Sequence, residues 1–390
     1  MQRRREFIQT GVAVAGAAAF GSQFWREALA ATARPGPGPY GPLGAPDVNG
    51  LSLPAGFSAR LIARANVPVP GTTHAWHLFP DGQATFPTRD GGWILVSNCE
   101  APASIGGGAE AIRFARDGAI KDAYRILADT NINCSGGGTP WGTWLSCEEV
   151  DKGKVWECDP WGKKPAVARP ALGVFKHEAA AVDPRGRRVY LTEDLGDGGF
   201  YRFTPTCWPD LSKGLLEIAS VGTNGWVTWH PVPDPSAATT PTRQQVPGST
   251  PFARGEGIWY DDGTVYVATT ADNKVHAYDT RWRRIEVIYD AAKLTDPPLT
   301  GVDNITVARS GDLYVCEDNG TGSLDMVIIT PGRRLARFLT ASGPHHAVSE
   351  LTGVSFDPRG KRLYFSSQRF DGTGAIFEVS GPFRAGFGRH

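Results

Sequence analysis

Asp183-Pro184-Arg185-Gly186-Arg187-Arg188-Val189-Tyr190-Leu191-Thr192-Glu193-Asp194 reads as a tight turn, a short apolar strand and an acidic end. Pro and Gly close the turn, and the β-branched and aromatic run that follows suits a half-buried pleated strand. The same three-part pattern recurs along the chain. Asp90-Gly91-Gly92 precedes the run Trp93 to Asn98, and Gly136-Gly137-Gly138 precedes a strand ending at Glu149. Asp261-Asp262-Gly263 precedes Val265 to Thr270, Ser310-Gly311-Asp312 precedes Leu313 to Asp318, and Asp357-Pro358-Arg359-Gly360 precedes Leu363 to Gln368. Several copies continue through a second turn into an aromatic strand, as in Gly198-Gly199-Phe200-Tyr201-Arg202-Phe203. Short strands repeating every forty to fifty residues or so are the signature of a β-propeller. The expectation is an all-β, six-bladed β-propeller. A double β-sandwich is the alternative, but it does not explain one motif with one polar ending. The longest interval contains Pro205 to Thr250, which reads as an inter-strand excursion.

The chain around this repeat divides simply. Arg3-Arg4-Arg5 leads into the apolar run Gly11 to Phe20 and the small-residue pattern Ala28-Leu29-Ala30, with Ala31-Thr32-Ala33 as a second cleavage option. Residues 1–30 therefore read as a twin-arginine export signal, too short in its apolar part to span a bilayer. Residues 31–50 are rich in Pro and Gly and read as a linker or extended arm, and 51–390 form the propeller domain. This predicts a periplasmic or secreted protein, with the twin-arginine translocase as partner and no stable membrane anchor after processing. Lys plus Arg and Asp plus Glu each number 40; removing the four basic and two acidic residues of 1–30 leaves 36 and 38. A near-neutral chain excludes a broad electrostatic nucleic-acid footprint. Closed propellers leave few free edges, so a monomer is expected. The six cysteines are too few for a disulfide scaffold, and Cys158 with Cys207 is the pair expected to bridge, if any does.

The polar strand ends are where chemistry is expected. Propeller blades stand around one axis, so Asn98 and Glu100, Glu148 and Glu149, Glu193 and Asp194, and Glu317 and Asp318 converge on one channel. His177-Glu178, Arg254-Gly255-Glu256 and Asp303-Asn304 precede strands and reach the same face. Each has a plainer reading alone: a solvated strand end, a satisfied histidine, a salt-bridge partner. Together, so many carboxylates at one axis repel unless cations neutralise them. Asn133-Cys134-Ser135-Gly136-Gly137-Gly138-Thr139-Pro140-Trp141-Gly142-Thr143-Trp144-Leu145-Ser146-Cys147-Glu148-Glu149 adds a thiol to this set. Its three glycines are expected to take positive φ and fold Cys134 back over the next strand. A thiolate beside carboxylates suits iron, or a mixed iron and calcium site.

These motifs resemble those of the PhoX-type alkaline phosphatases, from about Leu51 to Ser380. The likeness is carried by Asn98-Cys99-Glu100, by the stretch Asn133 to Glu149, by His177-Glu178, Thr192-Glu193-Asp194, Arg254-Gly255-Glu256 and Glu317-Asp318. The resemblance implies a six-bladed propeller with iron and calcium as cofactors, hydrolysing a small-molecule phosphate monoester. It makes Cys134 the thiolate ligand of iron, which tunes the metal and does not attack substrate. Glu149 or Glu148, with Glu178 and Glu256, become metal carboxylates, and Arg254 grips phosphate. Asn98, Glu100, Glu193, Asp194, Glu317 and Asp318 become calcium ligands or supports. Two other readings stay open. A calcium-dependent lactonase or esterase would use Asp303 and Asn304 and need neither Cys134 nor Arg254. A non-catalytic, calcium-stapled binding module would hold metal without turnover.

Overall fold

A computed structural model describes residues 32–320 and 322–386. The expected export signal lies outside the described residues. Six sheets, antiparallel but for one two-residue parallel pairing, follow one another along the chain and stand around a central axis. Their innermost strands are Pro80–Pro87, Asn133–Gly138, His177–Asp183, Gly255–Asp261, Val302–Val307 and Leu351–Phe356, for blades one to six in that order. The repeated motif is the second strand of every blade: Trp93–Cys99, Trp144–Glu148, Arg188–Glu193, Thr264–Thr269, Leu313–Glu317 and Arg362–Ser367. The ring closes because Ser58–Arg64, from the start of the described chain, forms the outer strand of blade six and pairs with Ala375–Ser380 from its end. One of six apolar clusters fills each interface between adjacent blades. Side chains such as Trp144, Tyr201 and Phe377 are wholly buried there, each contributing about 1.5–3 kcal/mol. Among the described residues no helix is long and apolar enough to cross a membrane.

Three expectations are revised. The Pro/Gly-rich segment is not a free linker. Arg34–Pro35 runs parallel to the outer strand of blade five, and Leu51–Ser52 pairs antiparallel with the same strand. Tyr40 seals this arm by packing edge-on against Phe57 and Phe338. Backbone pairing and an aromatic anchor outweigh the lack of regular periodicity. The excursion after Pro205 is partly sheet: blade three gains a fifth strand, Val227–Pro231. Finally, Cys158 and Cys207 are both free. Cys158 is buried at the end of the third strand of blade two, whereas Cys207 is exposed in a hairpin of blade three.

The glycine triplet differs from expectation in an informative way. Gly136, Gly137 and Gly138 are not the turn; they are the inner strand itself, and the turn is Thr139 to Thr143, with Gly142 at φ 85°. The triplet exists because inner strands crowd at the axis. A Cβ on Gly137 would sit 1.9 Å from the carbonyl oxygen of Ala180 in the next blade. Gly137→Ala should therefore destabilise the protein by about 3 kcal/mol or more in urea unfolding. Gly142→Ala, with nothing within 4 Å of its Cβ, should cost only about 1 kcal/mol for its left-handed φ.

Candidate metal centre

Each inner strand begins with a register shift against the second strand: between Pro80 and Gln83, Asn133 and Gly136, His177 and Ala180, Gly255 and Ile258, Val302 and Ile305, and Thr352 and Ser355. A bulge re-aims a side chain that regular pleating would tuck into the sheet. The re-aimed residues at equivalent positions are Asp81, Cys134, Glu178, Glu256, Asp303 and Thr352. The residues just past the second strands, Glu100, Glu149, Asp194, Thr270, Asp318 and Gln368, supply a second ring on the same face.

The two rings converge. Asp81, Glu100 and Cys134 bring ligand atoms within 4.8 Å of one another, as do Cys134, Glu149 and Glu178, and Glu178, Glu256 and Asp303. Cys134 and Glu178 each belong to two of these groups, so the three form one continuous cluster. Glu178 decides its chemistry. Its side chain is 0 % exposed, and neither carboxylate oxygen has a hydrogen-bond partner. A buried, unpaired carboxylate among other carboxylates is tolerable only when protonated or bound to a cation. The donor set fits metal: two groups combine a thiol with carboxylates, and the third is all carboxylate.

Without a cation the cluster holds protons. Burial pushes Asp81 up to about 8, helped by Glu350, and Glu100 up to about 8, helped by Asp81. Burial lifts Glu149 to about 7, and lifts Glu178, Glu256 and Asp303 well above the carboxylate range. The Cys134 thiol is also raised, by burial and then by Asp81 and Glu178, so it stays protonated until a cation displaces the proton. The sign for stability follows. Folded carboxyls keep protons that the unfolded chain releases near pH 4, so this contribution is complete below about pH 4 and lost as pH rises through 7 to 8. Chelated, metal-free protein should therefore melt lower at pH 9 than at pH 5, and metal should restore the alkaline melting point.

Three cations stand at the rim. Arg254 adopts φ 54°, a left-handed conformation uncommon outside glycine. Its amide donates to Leu195 O and its carbonyl accepts from Thr270 N, and these bonds hold the turn. The guanidinium Nε lies 2.8 Å from Asp194 Oδ1, and Nη2 lies 3.0 Å from Glu256 Oε1. Nη1 has no hydrogen-bond partner among the described residues, and the side chain is 42 % exposed. Asp194 is consequently held below the usual range: burial opposes this, and the Arg254 bonds overcome it. Lys176 bridges Glu149 and Asp194 at 2.8 and 3.1 Å. Arg369 pairs with Glu350 at 3.2 Å on blade six.

The expected residues fall into two classes. Cys134, Glu149, Glu178, Glu256 and Glu100 come together, with Asp194 and Asp318 at the margin beside Arg254 and Glu350 respectively. Glu148, Glu193, Glu317 and Asn98 are engaged elsewhere. Glu148 accepts from Asn131 N and Lys154 N, Glu193 from Gly199 N and the Tyr201 hydroxyl, and Glu317 from Thr300 N and Asp325 N. Asn98 spends its amide on Cys134 O and Ser135 O, and its oxygen on Trp144 and Ser146, fixing the loop that carries Cys134. His177 is structural: it stacks on Phe175 at 3.6 Å and bonds Gly173 O. Sequence reasoning missed Asp81, Glu350, Lys176 and Arg369. Asp81-Gly82 looks locally like a turn, but it holds the same place before its strand body as Glu178-Ala179 and Glu256-Gly257.

The family model described as alkaline phosphatase PhoX matches residues 90–159 and 151–370. The chain belongs to the PhoX family. Among solved structures, Pseudomonas fluorescens PhoX in complex with vanadate, a transition state analogue, superposes with a TM-score of 0.72 at 17 % identity. The match covers 90 % of this chain and 98 % of that one. A Xanthomonas campestris gluconolactonase superposes less well, with a TM-score of 0.53 at 14 % identity over 88 % of this chain and 99 % of that one. At these identities both likenesses show the propeller fold. Among curated proteins none matches. The PhoX family model spans blades two to four whole and the four strands of blade five from Val302 to Ser342, and with them Cys134, Glu149, Glu178, Arg254, Glu256 and Asp303.

Proposed function

We propose that this PhoX-family chain is an exported, metal-dependent phosphatase that hydrolyses phosphate monoesters at the propeller axis, with iron and calcium as its cations. The observation that carries the reading is Glu178, buried with both oxygens unpartnered between a thiol-bearing group and an all-carboxylate group. Cys134 with Asp81, Glu100, Glu149 and Glu178 would hold iron, since thiolate and carboxylate together suit it. Glu178, Glu256 and Asp303, all hard oxygen donors, would hold calcium, with Asp194, Asp318 and Glu350 nearby. Bound cations supply charge withdrawal from phosphoryl oxygens and a water that ionises near neutral pH.

The chain's own residues do the rest. Arg254 is preset by its backbone and by two acidic partners, and it offers its free Nη1 to a phosphate oxygen at the rim. Asp194 and Glu256 hold the guanidinium plane so that little order is lost when substrate binds. Lys176 opposes the rise that burial imposes on Glu149 and joins Arg254 in favouring the ionised form of Asp194. Cys134 serves as a ligand, because among the described residues no histidine stands against it to activate a nucleophile.

Elemental analysis and a visible spectrum of unchelated, exported protein test this directly. Iron with calcium is expected, together with a thiolate-to-iron band that Cys134→Ala abolishes and turnover of 4-nitrophenyl phosphate. Calcium without iron or colour would overturn the iron assignment; lactone hydrolysis or turnover of neither substrate would then decide between an esterase and a binding module.

A further inference from the structure

Blade six breaks the acidic rings. The other five blades each place an acid or a thiol at the bulge or just past the second strand, whereas blade six presents Thr352 and Gln368 at those positions. The Gln368 amide nitrogen donates to Asp81 Oδ2 at 2.6 Å and also to Glu100 Oε2. The next residue, Arg369, puts a cation on this side of the mouth. Its backbone is fixed at both ends: the amide donates to Ser349 Oγ at 2.9 Å, and the carbonyl accepts from Gly372 N at 2.7 Å. The guanidinium meets Glu350 Oε1 through Nη1 at 3.2 Å, and Nε and Nη2 have no hydrogen-bond partner among the described residues. Both of these nitrogens reach solvent, on a side chain that is 39 % exposed. Together they form the edge of a guanidinium that takes a carboxylate through two parallel bonds. The acid of the same loop, Asp371, does not use that edge; it is paired with Arg64 at 2.6 Å and His345 at 2.7 Å.

Arg369 does not share the role of Arg254. Glu350 faces both Arg369 and Asp318, and Asp318 faces Arg254. Two carboxylates therefore stand between the guanidinia, which keeps them from closing on one phosphoryl group. Arg369 also faces Glu100 and Asp81 as well as Glu350. One cation in that company suits a singly charged group better than a second phosphate. We propose that Arg369 selects the substrate by binding a carboxylate on the leaving group, while Arg254 holds the phosphoryl end. The substrate class is then the phosphate ester of a hydroxy acid. This rests on the phosphatase reading of the same site.

Phosphonates, which resist hydrolysis, test binding apart from turnover. The mature, metal-loaded protein is titrated calorimetrically with two matched pairs: 3-phosphonopropionate with propylphosphonate, and 6-phosphonohexanoate with hexylphosphonate. In at least one pair the carboxylated member is expected to bind about tenfold tighter. Arg369→Gln should erase that preference. Arg369→Lys should keep about threefold of it, because an ammonium supplies charge without the paired edge. Arg254→Ala should weaken every probe and leave the preference in place, and elemental analysis should find the parent's metal content in all three variants. Equal affinities within both pairs, in protein that turns over 4-nitrophenyl phosphate, would overturn this proposal and leave the phosphatase reading standing. Binding of none of the four at about 1 mM would overturn both. A preference that survives Arg369→Gln would overturn the assignment, as would one lost together with metal, which would make Arg369 a brace for Glu350.

Discussion

Metal-free Glu178→Gln protein is expected to be more stable than the metal-free parent at pH 8, and to bind metal far more weakly. The opposite signs come from one carboxylate. Glu178 is enclosed, its two oxygens have no donor, and Cys134, Glu149, Glu256 and Asp303 surround it with groups that are anionic or can become so. At pH 8 the parent must either keep a proton there or bury an uncompensated charge, and both cost stability relative to the solvated unfolded chain. Glutamine keeps the shape, removes the charge and adds an N–H that a neighbouring carboxylate can accept. The gain should be about 2 kcal/mol, read from urea unfolding after chelation. Metal affinity should fall by about 100-fold or more, because the ligand proposed to be shared between two groups is lost and not merely a supporting group. A metal-free parent that is the more stable of the two would mean the carboxylate is already satisfied, and the cluster would then not require a cation.

Arg254→Ala is expected to lower kcat/KM for 4-nitrophenyl phosphate by about 10²–10³-fold with metal content unchanged. The guanidinium combines an Nη1 without a hydrogen-bond partner among the described residues, a left-handed backbone and two acidic braces. Arg254→Lys should recover little, since an ammonium cannot face Asp194 along one edge and phosphate along the other. The variant also leaves Asp194 without its main partner, so its carboxyl should titrate higher than in the parent, in the direction burial already pushes it. If both variants lost metal in parallel with activity, Arg254 would be a brace for the centre and not a phosphate clamp.

The propeller was legible in sequence because each blade must bury its second strand between neighbours. That demand writes the same apolar run six times, from Trp93–Cys99 to Arg362–Ser367. The convergence of acids was legible for the same reason: equal positions in equal blades meet at one axis. Local rules failed where function rests on irregular backbone. Asp81-Gly82 has the composition of a turn, and the glycine triplet that of a loop, yet both lie in inner strands pressed against the next blade. Glu148 and Glu149 cannot be told apart by composition. They differ because one residue of advance past the strand end turns a side chain from its own blade's loops, where Glu148 caps Asn131 and Lys154, to the axis. Residue pattern alone thus specifies an all-β ring of six repeats with carboxylates and one thiol drawn to its centre. Which of them face one another is set by the packed blades, because six bulges re-aim one residue per blade and burial removes the water that would otherwise keep their charges apart.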